Sequence, residues 1–501
     1  MTTDTTADIP VDTGGIGGHP RGLTTLFFTE MWERFSYYGM RALLVLFMTA
    51  PLAQDNAGLG FDVAKSSAIY GLYTSMVYLL SLPGGWLADN LWGQRKAVFV
   101  GGCIIAAGHF SMAIPMVPTF YAGLTLIALG TGLLKPNVST MVADLYPEGG
   151  ARRDAGFSVF YMGINLGALL GTILCGFIGE GYSFHWGFSL AGIGMVAGLI
   201  QYKLGAKRLG TAGRLKSDDP PEVQNRKSRN FYQSIAAAGA ALTLFTFLAT
   251  SGAIDVTIQQ TAEWLGYGIL IMSGLFFAYL FVAGGLTPIE KKRLVVIVWL
   301  YILAAMFWSG FEQAGSSMNI FARDLTDRHV AGWELPASWL QNVNPSFIVI
   351  FAPIFGWLWT WLAIRRANPS TPMKFAIGLF GLAAGFFVLA WGAANATETS
   401  RVSMVWLVMT YFFHTVGELC LSPVGLSSMT KLAPKGRVGQ MMGVWFIAAA
   451  LGNLIAGLVA GRLEQLTPTD LFWNVALITG GVGVVAAIVS PFVKRLMGDV
   501  K

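Results

Sequence analysis

The chain has 501 residues, of which 12% are charged and 54% are hydrophobic. Because an average soluble protein carries about 25% charged residues, this composition excludes a soluble enzyme, a nucleic-acid-binding protein and a disordered chain. The net charge of +6 is better explained by basic residues at the ends of membrane spans than by an acidic partner. The composition therefore predicts a protein that crosses a membrane many times.

The N-terminal segment 1–22 is polar and contains three aspartates. This is the reverse of the basic start of a cleavable signal peptide. We therefore expect segment 1–22 to be a cytoplasmic tail and the chain to be inserted by its own helices.

Fourteen apolar stretches follow, each about 20 residues long and so long enough to cross a bilayer. They lie near residues 23–50, 66–89, 97–115, 119–145, 156–179, 185–204, 230–251, 263–286, 294–322, 345–366, 373–394, 402–431, 438–461 and 470–494. The sequence therefore predicts an all-α membrane protein with fourteen transmembrane helices. The three cysteines lie far apart inside these stretches, at Cys103, Cys175 and Cys420, which predicts neither a disulfide framework nor a metal site.

The connections between the stretches alternate between basic segments and segments poor in Lys and Arg. Arg152-Arg153 and the stretch from Lys431 to Arg437 are basic, whereas 180–184 contains no Lys or Arg. The longest of the poor connections, 323–344, carries two arginines together with three acidic residues. Because basic connections remain on the cytoplasmic side of a membrane, we expect both termini in the cytoplasm.

The one long polar connection, 205–229, is basic, contains two adjacent prolines and is typical of a cytoplasmic linker. It follows an N-terminal bundle of six helices, 23–204. The next two helices, 230–286, carry almost no charge, so we interpret them as an addition packed outside a core of twelve helices. The C-terminal bundle of six helices then covers 294–495.

The first span carries four charges and two phenols at helical spacing: Glu30, Glu33, Arg34, Tyr37, Tyr38 and Arg41. At about 100° per residue these six side chains lie within an arc of about 140°. A helix that faces lipid would not gather four charges on one side. We therefore expect this face to line a water-filled cavity.

Three further spans carry one charge each, at Lys135, Glu312 and Glu418. A charge at mid-bilayer costs at least about 2.5–3.5 kcal/mol, so each is a candidate functional residue. With the first span, the inventory is four carboxylates against three cations, and a single proton neutralises the difference. This favours a site that links proton binding to a substrate bearing an ammonium and a carboxylate. The alternative is a set of structural ion pairs that hold the bundle together.

These charges stand in motifs that resemble those of the proton-dependent oligopeptide transporter (POT, or PTR) family of the major facilitator superfamily. Residues 30–34 are similar to the ExxER signature of the family's first helix, and residues 160–167 are similar to its FYxxINxG signature on the fifth. Segments 132–137 and 418–426 also match the family. The resemblance extends over essentially the whole chain and includes the two extra helices of bacterial members.

The resemblance implies the major facilitator fold, with twelve core helices in two six-helix bundles plus two extra helices. It implies symport of di- and tripeptides with protons by alternating access in the inner membrane of a bacterium. Peptides, protons and the lipid bilayer are then the expected partners. We expect no enzymatic activity, no metal, no nucleic-acid partner and no cofactor besides the coupling proton; the oligomeric state stays open.

Carried over residue by residue, the resemblance implies two overlapping sets of site residues. Those expected to take part in proton coupling are Glu30, Glu33, Arg34, Lys135, Glu418, Glu312 and Arg41. Those expected to bind the substrate are Arg34, Arg41, Tyr37, Tyr78, Lys135, Asn165, Trp308, Asn344, Glu418, Ser422 and Trp445. Within these sets, Lys135 is the expected partner of the charges on the first helix. Arg41 and Glu312 are expected to form an ion pair that closes the periplasmic side.

The resemblance also implies how the two ends of a peptide are held. Arg34 and Lys135 are expected to attract its C-terminal carboxylate, since a guanidinium binds a carboxylate in bidentate fashion. Asn165, Asn344 and Glu418 are expected to accept hydrogen bonds from its N-terminal ammonium. The aromatic residues of the set are expected to line side-chain pockets.

Alternative interpretations stay open for some residues. Tyr78 and Trp445 also fit an aromatic belt at the membrane interface, and Asn165 also fits a contact between helices. His414, one turn before Glu418, fits a structural histidine as well as a proton relay.

Other functions fit the sequence less well. Drug antiporters of the same superfamily typically carry a Gly-Pro motif on the fifth span, which residues 165–171 lack. Import of another anion such as nitrate would be favoured by loss of the ExxER pattern, which is present. A membrane enzyme is disfavoured because there is no HExxH motif and no Cys/His pair. A pore is disfavoured because the ionisable residues do not repeat as rings.

Overall fold

The computed structural model describes residues 12–147, 150–216, 219–397 and 400–498. Within these ranges the chain is almost entirely helical, which suits a membrane because a helix satisfies its backbone polar groups internally. Of the predicted N-terminal tail, the described part begins at residue 12. The predicted linker is described except for residues 217–218.

The first half of the chain forms six successive helical passes between the two ends of the molecule. Its helices are α1 Arg21–Thr49, α2 Val63–Leu79, α3 Ser81–Leu87, α4 Gln94–Met112, α5 Val117–Asp144, α6 Gly150–Gly181 and α7 Phe184–Gly205. α2 and α3 form one pass that is interrupted at Leu80, because Pro83 has no N–H and its ring would clash with the carbonyl of Leu79. A π-helical turn, Ala88–Trp92, leads from α3 towards α4.

The rest of the chain adds two long helices and then six more passes. The helices are α8 Pro221–Thr250, α9 Ile258–Ala283, α10 Pro288–Phe311, α11 Ser317–Asp324, α12 Val343–Ile364, α13 Thr371–Ala394, α14 Val405–Leu432, α15 Val438–Ala460 and α16 Pro468–Met497. Short 3₁₀ turns lie at Ile16–Gly18, Ala206–Leu209, Glu312–Gly315, Ala337–Asn342 and Gly461–Glu464.

Four two-residue strands lie in the connections that flank α12, α13 and α14. β2 His329–Val330 pairs antiparallel with β3 Trp333–Glu334 in a hairpin. β1 Thr326–Asp327 pairs in parallel with β4 Val402–Ser403. These strands tie the connection that precedes α12 to the connection that precedes α14.

Eleven helices of the described chain are long and apolar enough to cross a membrane. The other three predicted spans are α1, the pair α2 and α3, and α4. α1 carries five charged residues, Arg21 among them, and the second span is broken at Leu80. All fourteen predicted spans are therefore helical, with ends that differ from the prediction by a few residues.

The twelve core passes pack as two sets. α1 packs on α6 and α7, and α4 packs on α5, whereas α13 packs on α14 and α16. The two sets meet mainly where α2 crosses α15 and where α6 lies beside α12 and the turn before it.

The two extra helices lie outside these sets. α9 packs on α2 and α15. α8 touches the core near its start, where Phe231 stacks on Trp86 and the indole of Trp92 donates to the Tyr232 hydroxyl at 2.9 Å. Most of α8 is exposed, as expected for a helix that faces lipid.

The molecule has two distinguishable ends. We call one of them the linker end. α5 ends there, α6 begins there, and the Asp144 carboxylate accepts a hydrogen bond from the backbone N–H of Gly213 at 3.0 Å. The other, which we call the distal end, contains the end of α1, the start of α2 and the hairpin of β2 and β3.

Candidate functional site

The charged triad of α1 is buried and shares a single cation. The Arg34 Nε lies 3.1 Å from Glu30 Oε1 and also forms an ion pair with Glu33. None of the three residues is more than 3% exposed. Glu30 Oε2, Glu33 Oε1 and Arg34 Nη2 have no hydrogen-bond partner among the described residues. Two buried carboxylates thus face one guanidinium, which leaves one negative charge in excess.

Aromatic rings cover this triad. The Arg34 guanidinium lies 5.2 Å from the centre of the Tyr37 ring and 6.0 Å from that of Tyr38, in the range of cation–π contacts. In this conformation the triad is buried, and the exposure of this face of α1 to a water-filled cavity stays a prediction. In the described chain, α1 contributes no side chain to the lining of the large cavity between the two sets.

The predicted ion pair between Arg41 and Glu312 is present. Arg41 also donates from Nε to the Tyr70 hydroxyl at 2.6 Å. The Arg41 and Glu312 side chains are 11% and 6% exposed. Because Glu312 lies in the turn between α10 and α11, this buried cluster joins α1 and α2 of the first set to the second set.

A cavity of about 1310 Å³ lies between the two sets. Its walls come from α2, α3, α5 and α6 on one side and from α10, α12, α14 and α15 on the other. Lining residues towards the linker end, such as Thr140, Arg153 and Ser158, are exposed. The cavity is therefore accessible from the linker end.

Five of the predicted substrate-binding residues line this cavity: Tyr78, Lys135, Asn165, Trp308 and Trp445. The six others do not line it in this conformation: Arg34, Arg41, Tyr37, Asn344, Glu418 and Ser422. The described lining contains two basic residues, Lys135 and Arg153, and no Asp or Glu. The cavity therefore presents positive charge to whatever enters it.

Lys135 differs from expectation in its contacts. The sequence predicts it as the partner of the carboxylates on α1, yet both carboxylates pair with Arg34. The Lys135 Nζ lies instead 4.1 Å from the centre of the Tyr78 ring. Its ammonium thus remains available to an anion in the cavity.

The predicted ammonium-binding residues fall into two places. The Asn344 Nδ2 donates to Glu418 Oε2 at 3.1 Å and to Thr415 Oγ1 at 2.9 Å. Asn165 donates to the carbonyl of Tyr161 in its own helix at 2.9 Å. Asn344 and Glu418 thus form one polar cluster between α12 and α14, and Asn165 stands on the opposite wall.

His414 supports the structural interpretation of that residue. It is 1% exposed and its ring lies 4.7 Å from that of Phe386. Its Nε2 has no hydrogen-bond partner in the part of the chain that is described. The residue thus packs against aromatic rings in the interior of the second set.

Further contacts close the distal end between the two sets. The Asn319 amide donates to the carbonyl of Ala42 at 2.9 Å, and Arg323 donates to Thr49 Oγ1 at 2.6 Å. Both contacts join α11 to the second half of α1, beyond Arg41. The distal end is thus sealed by several layers of hydrogen bonds.

Glu180 also helps to close the distal end, and the sequence analysis did not predict this role. Its carboxylate accepts from the backbone N–H groups of Ala337 and Ser338, at 2.7 and 2.9 Å. A carboxylate is favourable there because these N–H groups begin a helical turn and have no helical partner. In the sequence, Glu180 is indistinguishable from an ordinary acidic residue in an exposed loop.

Comparison with known proteins identifies the family. The model of the POT family matches residues 95–474. The chain belongs to this family. Two curated relatives support the assignment: a peptide transporter, YePEPT, of Yersinia enterocolitica is 41% identical, with 96% of each chain covered, and a di-/tripeptide transporter of Lactococcus lactis is 36% identical, with 97% of this chain and 98% of that one covered.

A solved member of the POT family has the same architecture. The crystal structure of a peptide transporter POT in complex with sulfate superimposes with a TM-score of 0.90 at 39% identity. The match covers 97% of this chain and 98% of that one. The predicted fold class, an all-α membrane protein of the major facilitator type, is therefore confirmed.

Proposed function

We propose that this chain imports di- and tripeptides together with protons by alternating access. The observation that carries the proposal is the cavity between the two sets of helices, which is accessible from the linker end and sealed at the distal end. An arrangement with one entrance is what a transporter needs when a central site faces each side in turn. The names of the POT relatives, a di-/tripeptide transporter among them, support the choice of substrate.

The cavity suits a small peptide. Its volume of about 1310 Å³ exceeds the roughly 300–1,000 Å³ of ordinary small-ligand pockets, so a dipeptide or tripeptide fits with accompanying water. We assign the peptide carboxylate to Lys135, with Arg34 as a second cation. We assign the ammonium to Asn165, Asn344 and Glu418, whose oxygens can accept its hydrogen bonds.

The triad on α1 supplies a site for the coupled proton. Two carboxylates beside one guanidinium cannot both be neutralised by it, and burial of the remaining charge is unfavourable. A proton on Glu30 or Glu33 removes that charge and leaves Arg34 beside a single carboxylate, so that the carboxylate of a substrate can take the place of the neutralised one. Because the sites interact, the proton belongs to the pair of carboxylates rather than to one of them.

The cluster of Arg41, Glu312 and Tyr70 is the proposed gate of the distal end. It joins the two sets, so it must break before the cavity can face the other side. Moving one charge down the membrane potential supplies about 2.3 kcal/mol per 100 mV. That corresponds to about fiftyfold accumulation of peptide per proton.

The proposed location is the inner membrane of a bacterium, with both termini and the linker in the cytoplasm. The basic connections lie at the linker end, where Arg152, Arg153 and Lys216 are found, and positive connections stay on the cytoplasmic side. In this orientation the structure is open to the cytoplasm.

The test is uptake of radiolabelled dialanine into liposomes that contain the purified protein. With an acidic exterior, uptake should exceed that of empty liposomes, and a protonophore should abolish the accumulation. Equal uptake with and without the protonophore would contradict proton coupling.

Inorganic anions are a second candidate class of substrate and are tested in the same assay. The described cavity lining has two cations and no carboxylate, which also suits an inorganic anion. Radiolabelled nitrate should enter no faster than into empty liposomes, and excess nitrate should leave dialanine uptake unchanged. Nitrate uptake without dialanine uptake would replace the peptide assignment by anion import.

A further inference from the structure

A buried tyrosine hydroxyl lies between the proposed gate and the charged triad, and the proposed transport cycle does not use it. It belongs to Tyr73 of α2, which is 5% exposed. Its oxygen has no hydrogen-bond partner among the described residues. A buried polar atom without a partner is unfavourable, so this hydroxyl needs a partner that is not a protein group.

Tyr73 lies in a row of polar side chains along α1 and α2. One helical turn nearer the distal end, the Tyr70 hydroxyl accepts a hydrogen bond from Arg41 Nε at 2.6 Å, within the gate. The Tyr73 ring stacks on the Tyr37 ring, with 6.3 Å between the ring centres. The Arg34 guanidinium in turn lies 5.2 Å from the centre of the Tyr37 ring. Tyr73 thus stands between the gate and the triad.

The triad has polar atoms that match this hydroxyl. Glu30 Oε2, Glu33 Oε1 and Arg34 Nη2 also have no hydrogen-bond partner in the described part of the chain, and Glu33 and Arg34 interact electrostatically with Tyr73. Buried water typically makes about three hydrogen bonds to polar groups that lack protein partners. Carboxylate oxygens, a guanidinium N–H and a phenol hydroxyl are such groups. A water molecule can therefore bridge Tyr73 and the triad.

The other helices that pack on α2 bring few titratable groups to Tyr73. α15 contains none, and the three on α9 are exposed. α5 supplies Lys135, whose Nζ lies 4.1 Å from the centre of the Tyr78 ring. The charged and titratable side chains that act on Tyr73 come from α1 and are Glu33, Arg34, Tyr37 and Arg41. Glu33 is the carboxylate among them.

We propose that Tyr73 relays the coupled proton from the gate to Glu33 through a bound water molecule. This inference rests on the proposed binding of the coupled proton at the triad. In the relay, a hydrated proton on the gate side donates a proton to the Tyr73 oxygen, and Tyr73 donates its own proton to the bridging water. That water passes one of its protons to Glu33 Oε1. Tyr73 is neutral before and after the step, and the net change is one proton moved to Glu33.

A relay affects the rate of transport and not its end point. The carboxylates that bind the proton are unchanged when the phenol is removed, so the final accumulation of peptide is unchanged as well. This distinguishes Tyr73 from Glu30, whose substitution by Gln is expected to abolish accumulation. A relay also leaves the exchange of peptide for peptide unaffected, because exchange needs no proton to arrive.

The experiment compares the wild type with Tyr73→Phe in liposomes supplied with radiolabelled dialanine. The variant keeps the ring that stacks on Tyr37 and loses only the hydroxyl. Its initial rate of uptake driven by a pH gradient should fall roughly tenfold, as expected for the loss of a positioned proton-transfer group in a cycle that also includes helix motion. Its final accumulation and its rate of exchange should equal those of the wild type. A more acidic exterior should restore part of the lost rate, because it increases the supply of protons.

Tyr301→Phe is the matched control. It removes a hydroxyl from another buried tyrosine, on α10, whose oxygen lies 3.1 Å from the Ser273 Oγ. Its initial rate, accumulation and exchange should all equal those of the wild type. Exchange at the wild-type rate also shows that each variant is folded.

Three outcomes would contradict the relay. A proton-driven initial rate in Tyr73→Phe equal to that of the wild type would overturn it. Equal slowing of proton-driven uptake and of exchange would also overturn it, because Tyr73 would then act on peptide binding or helix motion. Failure of the wild type itself to accumulate dialanine would overturn the proposed function, and the relay with it.

Discussion

At the scale of single residues, the protein concentrates its buried charge where one cation must serve two anions. Arg34 pairs with both Glu30 and Glu33, and each of the three retains a polar atom without a hydrogen-bond partner in the described structure. A purely structural ion pair is normally completed by further hydrogen bonds, because desolvated charges otherwise destabilise the fold. The incomplete satisfaction of this triad is therefore a sign of a site that exchanges partners.

The first residue-scale prediction concerns Glu30→Gln. The substitution removes the excess negative charge permanently, so the triad no longer needs a proton. Accumulation of dialanine driven by a pH gradient should fail, whereas exchange of labelled for unlabelled dialanine across the membrane should continue. Both rates are measured in liposomes.

Glu263→Gln is the matched control for that change. Glu263 is exposed on α9, so its variant should accumulate dialanine like the wild type. Normal accumulation by Glu30→Gln as well would show that the coupled proton does not bind at Glu30.

The second residue-scale prediction concerns Lys135→Gln. A hydrogen bond to a charged group contributes about 1.5–3 kcal/mol, so KM for dialanine should rise roughly tenfold or more. Alanyl-alanine amide lacks the carboxylate, so its KM should change little. The control Lys203→Gln changes an exposed lysine at the end of α7. If Lys135→Gln raised KM equally for both compounds, Lys135 would not be the carboxylate contact.

Some features of single residues could be predicted from the sequence, and others could not. The charged face of α1 follows from helical periodicity. The Arg41–Glu312 ion pair follows from a family resemblance and is present. The contact of Lys135 with Tyr78 could not be foreseen, because it depends on how far α5 stands from α1 in this conformation. Glu180 was missed because its partners are backbone N–H groups, which carry no side-chain pattern.

At the scale of helices, the crossing of α2 and α15 holds the two sets together. A Cβ added at Gly71 would lie 3.0 Å from the Cα of Gly457 and 3.2 Å from the carbonyl oxygens of Asn453 and Leu454. The two backbones therefore touch where both helices approach the distal end. Glycine leaves room for this approach because it has no Cβ.

Gly71→Val should separate these helices at the distal end. The branched side chain meets backbone, which cannot move aside as a flexible side chain can. Spin labels are attached at Asp62→Cys and Gln465→Cys in a Cys103→Ser background. The distance between the two labels, measured by double electron–electron resonance, should increase. Gly239→Val, at a position of α8 with open space around it, should leave the distance unchanged. An unchanged distance in Gly71→Val would show that this contact does not hold the distal end closed.

Helix positions were predictable to within a few residues, whereas breaks and small strands were not. Long apolar runs in a bilayer form helices. Eleven of the described helices are long and apolar enough to follow from hydropathy alone, and the three other predicted spans are also helical. The interruption of the second span at Leu80 was not predicted from the sequence, although Pro83 accounts for it in the structure. The hairpin within 326–334 has no alternating apolar pattern, and the sequence therefore suggested only a polar connection.

At the scale of the whole molecule, the two ends differ in both charge and closure. The linker end is basic and gives access to the transport cavity, whereas the distal end is sealed by hydrogen bonds between the two sets. The positive-inside rule places the linker end in the cytoplasm. The protein is therefore expected to have one defined orientation in the membrane.

That orientation is tested with a membrane-impermeant maleimide on intact cells, in a Cys103→Ser background. Asp55→Cys, exposed at the distal end, should react at once. Ser158→Cys, exposed at the mouth of the cavity, should react only after the cells are permeabilised. The reverse pattern would place the termini outside and would make the protein open to the exterior.

Peptide and proton are proposed to cross the membrane together, and the entry of protons during peptide uptake tests this coupling. Liposomes containing the protein and a pH-sensitive dye are prepared without a pH gradient, and potassium with valinomycin clamps the membrane potential. Adding dialanine outside should acidify the lumen in the wild type and leave it unchanged in Glu30→Gln. Entry of radiolabelled dialanine into wild-type liposomes without any change in luminal pH would contradict the coupling of peptide and proton transport.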